Sequence, residues 1–431
     1  MRAAVIRDYG SSATSLVYSK SVQKPSVRCP DDVLVKIKTV ALSALDVEVR
    51  RGEWKFLTAG EATGVLLDHV PGFEYSGIVE AVGGAVQRVA VGDEVCGLCS
   101  LVERGGACAE YTVQREDSMI AKPKLVLHDD AAMAIGPGIF SLTALHYNLK
   151  VDRDSSILIC DGASADGYVL VQMAAELGMR IFVTACSQEQ VSFLETLGGI
   201  VARVIDECQE DLADVIMQET NRMGVDYIVE TLRYVPDLER RRAAGAAQEA
   251  PPLTPSPSGK GNPFRSETIE DVGSTGNPFL QTLHRAAEED HGGASVEKME
   301  DSVASETIKV VDTAHSEETL ARLSRKRALI SSLAVHGRWV SLSKDLQLDP
   351  DESALMAMKN ASLSWIFPQA WVLSPSKQGH FLHVMDSVMR NIAEGKLRPL
   401  PCSSYNLSQI RDAHRQLENT LEHVGRVIIK M

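Results

Sequence analysis

Long apolar runs are missing from this chain. Nowhere in its 431 residues do about eighteen apolar positions follow one another, the length that a membrane-spanning helix requires. Positive charge is in short supply as well. Lys and Arg number 44 against 58 Asp and Glu, which leaves a formal net charge of −14 and a pI near 5.3 and argues against nucleic acid or an anionic membrane as the main partner. The opening residues MRAAVIRDYG carry neither the apolar segment nor the small-residue cleavage site of a secretory signal. The eight cysteines show no regular framework, which fits a reducing compartment, and the cytosol is the expected location. What is there is 44% hydrophobic and 24% charged, ordinary for a globular protein, in a chain long enough for two domains and a sizeable core.

The most informative stretch is SSILICDGASADGYVLVQMAAELGMRIFVTACS, residues 155–187. Ile157–Cys160 is a short apolar run ended by turn residues, hence a strand, and Asp161–Gly167 is the turn. From Tyr168 to Leu177 the apolar residues recur at helical spacing, Gly178 is a natural stop, and Arg180–Thr184 is a second buried-type strand. A strand, glycine turn, helix and strand of this length make the first βαβ unit of a dinucleotide-binding fold. Gly162 and Gly167 hold the first and third places of the glycine fingerprint, while Ser164 holds the second. Asp166 sets a carboxylate near the helix N-terminus, which suits the helix dipole and opposes a phosphate. Two readings follow: a nucleotide site with a weakened turn, which is favoured, and a βαβ unit that only packs.

Taken in order, residues 1–118 read as β-rich, with short strands at Ala3–Arg7, Val33–Val40, Gly77–Val82, Glu94–Cys96 and Tyr111–Val113. Residues 119–362 continue the βαβ pattern, with helices at Glu189–Leu197 and Leu212–Arg222 and strands at Val201–Ile205 and Gly224–Glu230. That alternation implies a doubly wound parallel sheet. Ala328–Ala334 is expected as its fifth strand and Lys359–Phe367 as its last. Residues 363–431 hold helices at Phe381–Glu394 and Leu407–Glu418 and a closing strand at Gly425–Ile429. Between the fourth and fifth strands, residues 235–319 are rich in Ala, Glu, Ser, Pro and Gly and lack hydrophobic periodicity, so a disordered insertion is expected there. Within it Gly-Asn-Pro-Phe occurs twice, at 261–264 and 276–279. Asn-Pro-Phe is similar to the tripeptide that EH-domain adaptors bind, Asn-Pro presetting a turn and Phe entering a pocket, and two copies allow bivalent capture.

The blocks GFEYSGIVEAVG (72–83), VGDEV (91–95), GGACAEY (105–111), AAMA (131–134) and SLTAL (141–145), in this order before the βαβ unit, resemble the medium-chain dehydrogenase/reductase superfamily. The zeta-crystallin-like quinone oxidoreductases are the branch they look most like. The resemblance implies an α/β chain made of a GroES-like β-barrel domain and a Rossmann domain, with a cleft between them and residues 363–431 returning to the barrel. It also implies zinc-independent hydride transfer from NADPH to a quinone or an activated alkene. Zinc members carry a His between Gly and Glu of a G-H-E segment, where this chain has Phe73, and the place of their ligating Cys falls in Ala41–Ala44, without a thiol. A catalytic zinc needs three N, O or S ligands, so no metal is expected. Cys96, Cys99 and Cys108 lack a fourth thiolate in the same domain and read as free thiols.

The segment Ser43–Gly52 resembles N-P-V-D-x-Y-x-R-x-G of the quinone reductases. Asp46, Arg50 and Gly52 match, while Ser43 replaces Asn and Glu48 replaces Tyr. An ionised carboxylate is a poor proton donor to a quinone oxygen. Glu48 is therefore read as a solvated surface carboxylate, and the catalytic residue stays unassigned. For the cofactor, the resemblance places Gly162, Ala163, Ser164 and Gly167 at the pyrophosphate and Thr184 and Ser187 at the adenosine ribose. Small hydroxyls in place of an acid tilt the choice to NADP(H) over NAD. Arg203 either supplies charge for the 2′-phosphate or is an exposed salt-bridging arginine. A homodimer is a further expectation. The rival readings are a non-catalytic NADP sensor or scaffold, favoured by Ser43, Glu48, Ser164 and Asp166, and recruitment of an EH-domain adaptor by the insertion.

Overall fold

A computed structural model describes residues 1–55, 69–101, 105–231, 325–419 and 424–431. The expected insertion, 235–319, lies outside the described residues, together with both Asn-Pro-Phe motifs.

The first part of the chain folds into short strands that are buried at most positions. β1 (Ala3–Ile6) and β2 (Leu16–Ser19) form an antiparallel pair. β3 (Asp32–Leu42), β4 (Glu74–Val82), β5 (Glu94–Leu98), β6 (Tyr111–Arg115) and β7 (Met119–Ala121) follow. β3, β4, β5 and β7 lie side by side, and β6 pairs with β3. Val33, Val35, Ile37, Tyr75 and Val95 fill this barrel's core. The helix His128–Leu142 then crosses to the second sheet, buried along most of its length because AAMAIGPGIF is apolar or small on every side.

The second sheet consists of β8 (Ser156–Cys160), β9 (Arg180–Ala185), β10 (Arg203–Asp206), β11 (Val225–Glu230), β12 (Leu333–Ser341) and β13 (Ser362–Trp365). Its order is β10-β9-β8-β11-β12-β13, parallel throughout. This is the doubly wound Rossmann order, which reverses direction between β8 and β11. β8 and β9, at the middle of the sheet, are near-continuous buried apolar runs because helices cover the sheet. The helices Ala165–Glu176 and Gln378–Ala393 contribute Val169, Leu170, Met173, Val384 and Val388 to the core cluster that also holds Ile157, Ile159, Ile181 and Val183.

β14 (Cys402–Asn406) and β15 (Arg426–Lys430) join the first sheet, β15 pairing antiparallel with β3. The helix Ile410–Asn419 stands between them. One expected strand is different in kind. Residues 325–332 are helical, and the fifth strand begins at Leu333. A short apolar run has no period that separates a buried strand from a buried helical turn, and the Ala-Leu-Ile segment is taken up as helix, with Leu329 and Ile330 fully buried.

Candidate active site

The turn after β8 is built by close approach. Asp161 adopts φ +58°, a conformation that short polar residues tolerate. Its N–H donates to Thr184 Oγ1 at 2.9 Å, and the Gly162 N–H donates to the Thr184 carbonyl at 3.0 Å. A Cβ on Gly162 would stand 2.8 Å from Val183 Cβ, and one on Gly167 would run into the Asp161 carbonyl. Both glycines therefore serve helix–strand packing. Ser164 sits at φ −68°, ψ 164°, open to any L residue, so a side chain in the second glycine place brings no backbone strain. Its Oγ accepts from Gly167 N–H at 3.0 Å and donates to the Asp161 carbonyl at 2.8 Å. The helix Ala165–Glu176 is thus capped by its own serine, and one of the amides that could meet a phosphate is already engaged.

Of the residues expected to hold a cofactor, Ala163 and Ser164 line the cleft between the two sheets, beside Asp161, Asp166, Gln190 and Thr231. Thr184 is fully buried, and its hydroxyl holds the turn. Ser187 is half-buried and caps the helix Gln188–Glu195, accepting from Gln190 N–H at 3.3 Å. Arg203 is not brought to this place. It opens β10 opposite Phe182 and is ion-paired with Glu210, whereas nucleotides bind outside the carboxyl ends of such strands.

The cleft has a volume of about 250 Å³. Leu42, Leu45, Val47, Phe73 and Leu98 form its apolar wall on the barrel side. Glu48 lines it too, and the expectation of a solvated surface carboxylate is corrected here. Glu48 is half-buried, and the Trp54 indole N–H donates to its Oε2 at 2.7 Å. Trp54 stacks on Phe367 with ring centroids 4.6 Å apart, and Lys344 lies 5.4 Å from the Trp54 centroid while pairing with Glu53 at 2.7 Å. Nothing in the spacing of Glu48 announced this indole.

Three deeper residues escaped the sequence reading. Glu74 opens β4 and is 7% exposed; Arg426 opens β15 and is 4% exposed. They meet at 2.8 Å, Arg426 Nη2 to Glu74 Oε2. Arg426 also donates to the carbonyls of Met133 at 2.6 Å and Leu42 at 3.2 Å. Burial pushes the Glu74 carboxyl up to about 7, against the opposing pull of Arg426. The third is Gln369, whose Nε2 donates to the Cys99 carbonyl at 3.1 Å, which fixes the amide's orientation. Gln369 lines the cleft, and its Oε1 is buried and without a partner among the described residues. A carboxylate next to Phe73 inside an apolar block was the one signal available for this group. Asp46 is a structural neighbour: it is fully buried, and Oδ1 accepts from Gly72 N–H at 2.7 Å and Oδ2 from Ser43 N–H at 2.9 Å. Burial pushes it up to about 6.

Phe73, Leu42, Ser43 and Ala44 line the cleft. Among the described residues, one group of three His, Cys, Asp or Glu side chains comes within ligand range of one another, Cys29, Asp31 and Asp32, and none of them lines the cleft. Cys96, Cys99 and Cys108 are buried and free.

A barrel, a parallel sheet in this order and a cleft at the strands' carboxyl ends define a class, and the comparisons agree with it. Residues 29–124 match the alcohol dehydrogenase GroES-like domain and residues 294–429 the zinc-binding dehydrogenase domain. The chain belongs to the medium-chain dehydrogenase/reductase superfamily. It is 26% identical over 385 residues to quinone oxidoreductase-like protein 1 of Mus musculus, covering 88% of this chain and 86% of that one. It is 30% identical over 225 residues to the chloroplastic NADPH-dependent alkenal/one oxidoreductase of Arabidopsis thaliana, covering 50% and 54%. The mycobacterial protein Rv1454c, solved in complex with NADPH, shares the fold over the whole length of both chains, with a TM-score of 0.67 at 18% identity.

Proposed function

We propose that the chain is a zinc-independent, NADPH-dependent oxidoreductase that transfers hydride to a quinone or an activated alkene. The observation that carries this reading is the cleft itself. It joins the turn after β8 to an apolar barrel wall that includes the buried Phe73, the residue at the position where the resemblance puts a zinc ligand. The names of the mouse and Arabidopsis relatives support both the cofactor and the acceptor class. The residues fit a dinucleotide: Ala163 and Ser164 would meet the pyrophosphate, and the orphaned Gln369 Oε1 is an acceptor of the kind a carboxamide N–H needs. The nicotinamide would supply the hydride, while the protein supplies orientation and a cleft poor in water.

Ser164 and Asp166 favour a second reading, a catalytically weak protein that senses NADP or serves as a scaffold. Titration with NADPH and NADH, read by nicotinamide fluorescence and followed by a screen of quinones and enones, separates the two. Turnover supports the reductase; binding without turnover supports the sensor; no binding up to about millimolar nucleotide, where binding is worth only ~4 kcal/mol, removes both. A cytosolic location, a homodimer and capture of an EH-domain partner through 261–264 and 276–279 belong to the same proposal. Fractionation, light scattering and a pull-down with Phe264→Ala and Phe279→Ala test them in turn.

A further inference from the structure

We infer that Glu74 is the proton donor of the cleft: its Oε1 hands a proton to the acceptor after hydride arrives, while Arg426 holds its Oε2. This rests on the reductase reading above. A quinone or enone that has taken up a hydride carries the electron pair and one negative charge, and needs one proton to become a hydroquinone or a saturated ketone. In the proposed step the carboxyl O–H bond of Glu74 breaks and a bond from that hydrogen to the acceptor forms. Glu74 is left as a carboxylate beside Arg426, and water reprotonates it. Two electrons and two hydrogens thereby reach the acceptor, one hydrogen from NADPH as hydride and one from Glu74 as a proton.

The geometry selects this residue. Glu74 lines the cleft, and its two oxygens are unlike. Oε2 accepts from Arg426 Nη2 at 2.8 Å, and the guanidinium is fixed by its bonds to Met133 and Leu42. Oε1 has no hydrogen-bond partner among the described residues. Gly136 of the helix His128–Leu142 presses against the carboxylate so closely that a Cβ there would collide with it, which holds the group in place. The other acids of the cleft are engaged elsewhere. Glu48 receives the Trp54 indole, Glu53 pairs with Lys344, and Glu418 pairs with Arg50 and Arg51. Asp161 stands in the turn after β8 and Asp166 in the first turn of the helix Ala165–Glu176, on the nucleotide side.

The charges around Glu74 suit the task. Arg426 on β15 favours the carboxylate. Asp46, from the helix Ala44–Arg51, and Asp166, from the helix Ala165–Glu176, oppose it, and burial opposes it most. The helix His128–Leu142 adds Gly136, without charge, at the point of contact. A carboxyl group pushed up to about 7 is part protonated at neutral pH, where a proton donor is most effective. It also supplies what the missing phenol at position 48 does not.

The test pairs a static readout with a kinetic one. Infrared difference spectra of wild type against Glu74→Gln, without cofactor and from about pH 5 to about pH 9, read the protonated carboxyl directly. A carboxyl band absent from the variant and titrating near neutrality is expected. Glu74→Gln should slow quinone reduction by ~100-fold and lose the pH break, general acids being worth about that much, with NADPH binding unchanged, while the thermal midpoint falls because the Arg426 guanidinium loses its buried carboxylate. Glu74→Asp should recover part of the rate. No difference band at any pH below about 7, or turnover that survives Glu74→Gln with its pH profile intact, overturns proton delivery alone. A protein that shows the band yet reduces no quinone or enone overturns the reductase reading, and proton delivery with it.

Discussion

Arg325 and Glu207 face each other as a bidentate pair at the carboxyl edge of the parallel sheet, Nε to Oε2 at 3.2 Å and Nη2 to Oε1 at 3.1 Å, with side chains 7% and 2% exposed. The same guanidinium reaches Glu230 Oε1 at 2.8 Å, and Ser341 Oγ donates to Glu230 Oε2 at 2.8 Å. One buried cation thus ties together the ends of β10, β11 and β12. Removing it strands two carboxylates out of water. Arg325→Leu should destabilise the protein by about 3–5 kcal/mol at neutral pH, as loss of one partner of a buried pair does, measured by urea unfolding. The loss should shrink on acidification, because burial already raises the Glu230 carboxyl and protonation removes its charge.

The turn after β8 yields a prediction of opposite sign for binding and stability. Ser164→Ala should cost about 1 kcal/mol, the worth of a helix N-cap, and Ser164→Gly only a few tenths. Ser164→Gly also releases the Gly167 N–H, so NADPH should bind several-fold tighter. Asp166→Asn should tighten it further by removing a carboxylate from the phosphate's side. Since Asp166 raises the Glu74 carboxyl, the same variant should move the Glu74 titration to lower pH. Fluorescence titration and the infrared spectra read the two effects separately.

Arg203→Ala should leave the preference between NADPH and NADH within about twofold, roughly 0.4 kcal/mol. Arg203 stands at the amino end of β10 and is occupied by Glu210. A large loss of NADPH selectivity on this substitution would show that the 2′-phosphate reaches the wrong end of the strand for a Rossmann sheet.

His414 ties stability to pH. It is fully buried, neither ring nitrogen has a partner among the described residues, and burial with the nearby Arg50 charge lowers it from 6.5 to about 3. The folded protein thus resists a proton that the unfolded chain accepts. The stability contributed by neutral His414 is complete above about pH 6.5 and is lost as pH falls toward about 3. Near pH 5 the loss is about 2 kcal/mol. His414→Leu should remove that slope, read as a smaller drop in thermal midpoint between about pH 7 and about pH 5.

How far the sequence carried the reading depends on how local each signal was. The βαβ unit was legible because strand, turn and helix are contiguous between Ser156 and Ala185, and the barrel strands because their edges are marked by Gly, Pro and Asp. Glu74 and Arg426 stood in plain view within GFE and GRV blocks. Their meeting depends on β15 pairing with β3 beside β4, which no local pattern reports. Gln369 escaped for the same reason, since its partner is the carbonyl of Cys99, just past the end of β5. Arg203 could be read as near a strand but not at which end. Ala328–Ala334 reads as a strand and folds mostly as helix, because an apolar run that short has no period to measure.

The pairing of β11 with β12 has a kinetic side. Val225 and Leu333 are neighbours in the sheet, yet the stretch from Thr231 to Ser332 separates the two strands along the chain. Until that return is made, β11 has only β8 beside it, and its other edge is an unfilled row of amides and carbonyls at the middle of the sheet. Non-local parallel pairings of this kind form slowly, and an open apolar strand edge is a template for another copy of the same chain. Refolding yield should therefore fall with protein concentration before native fluorescence returns, and the slow step should be the one that seats Arg325 between Glu207 and Glu230.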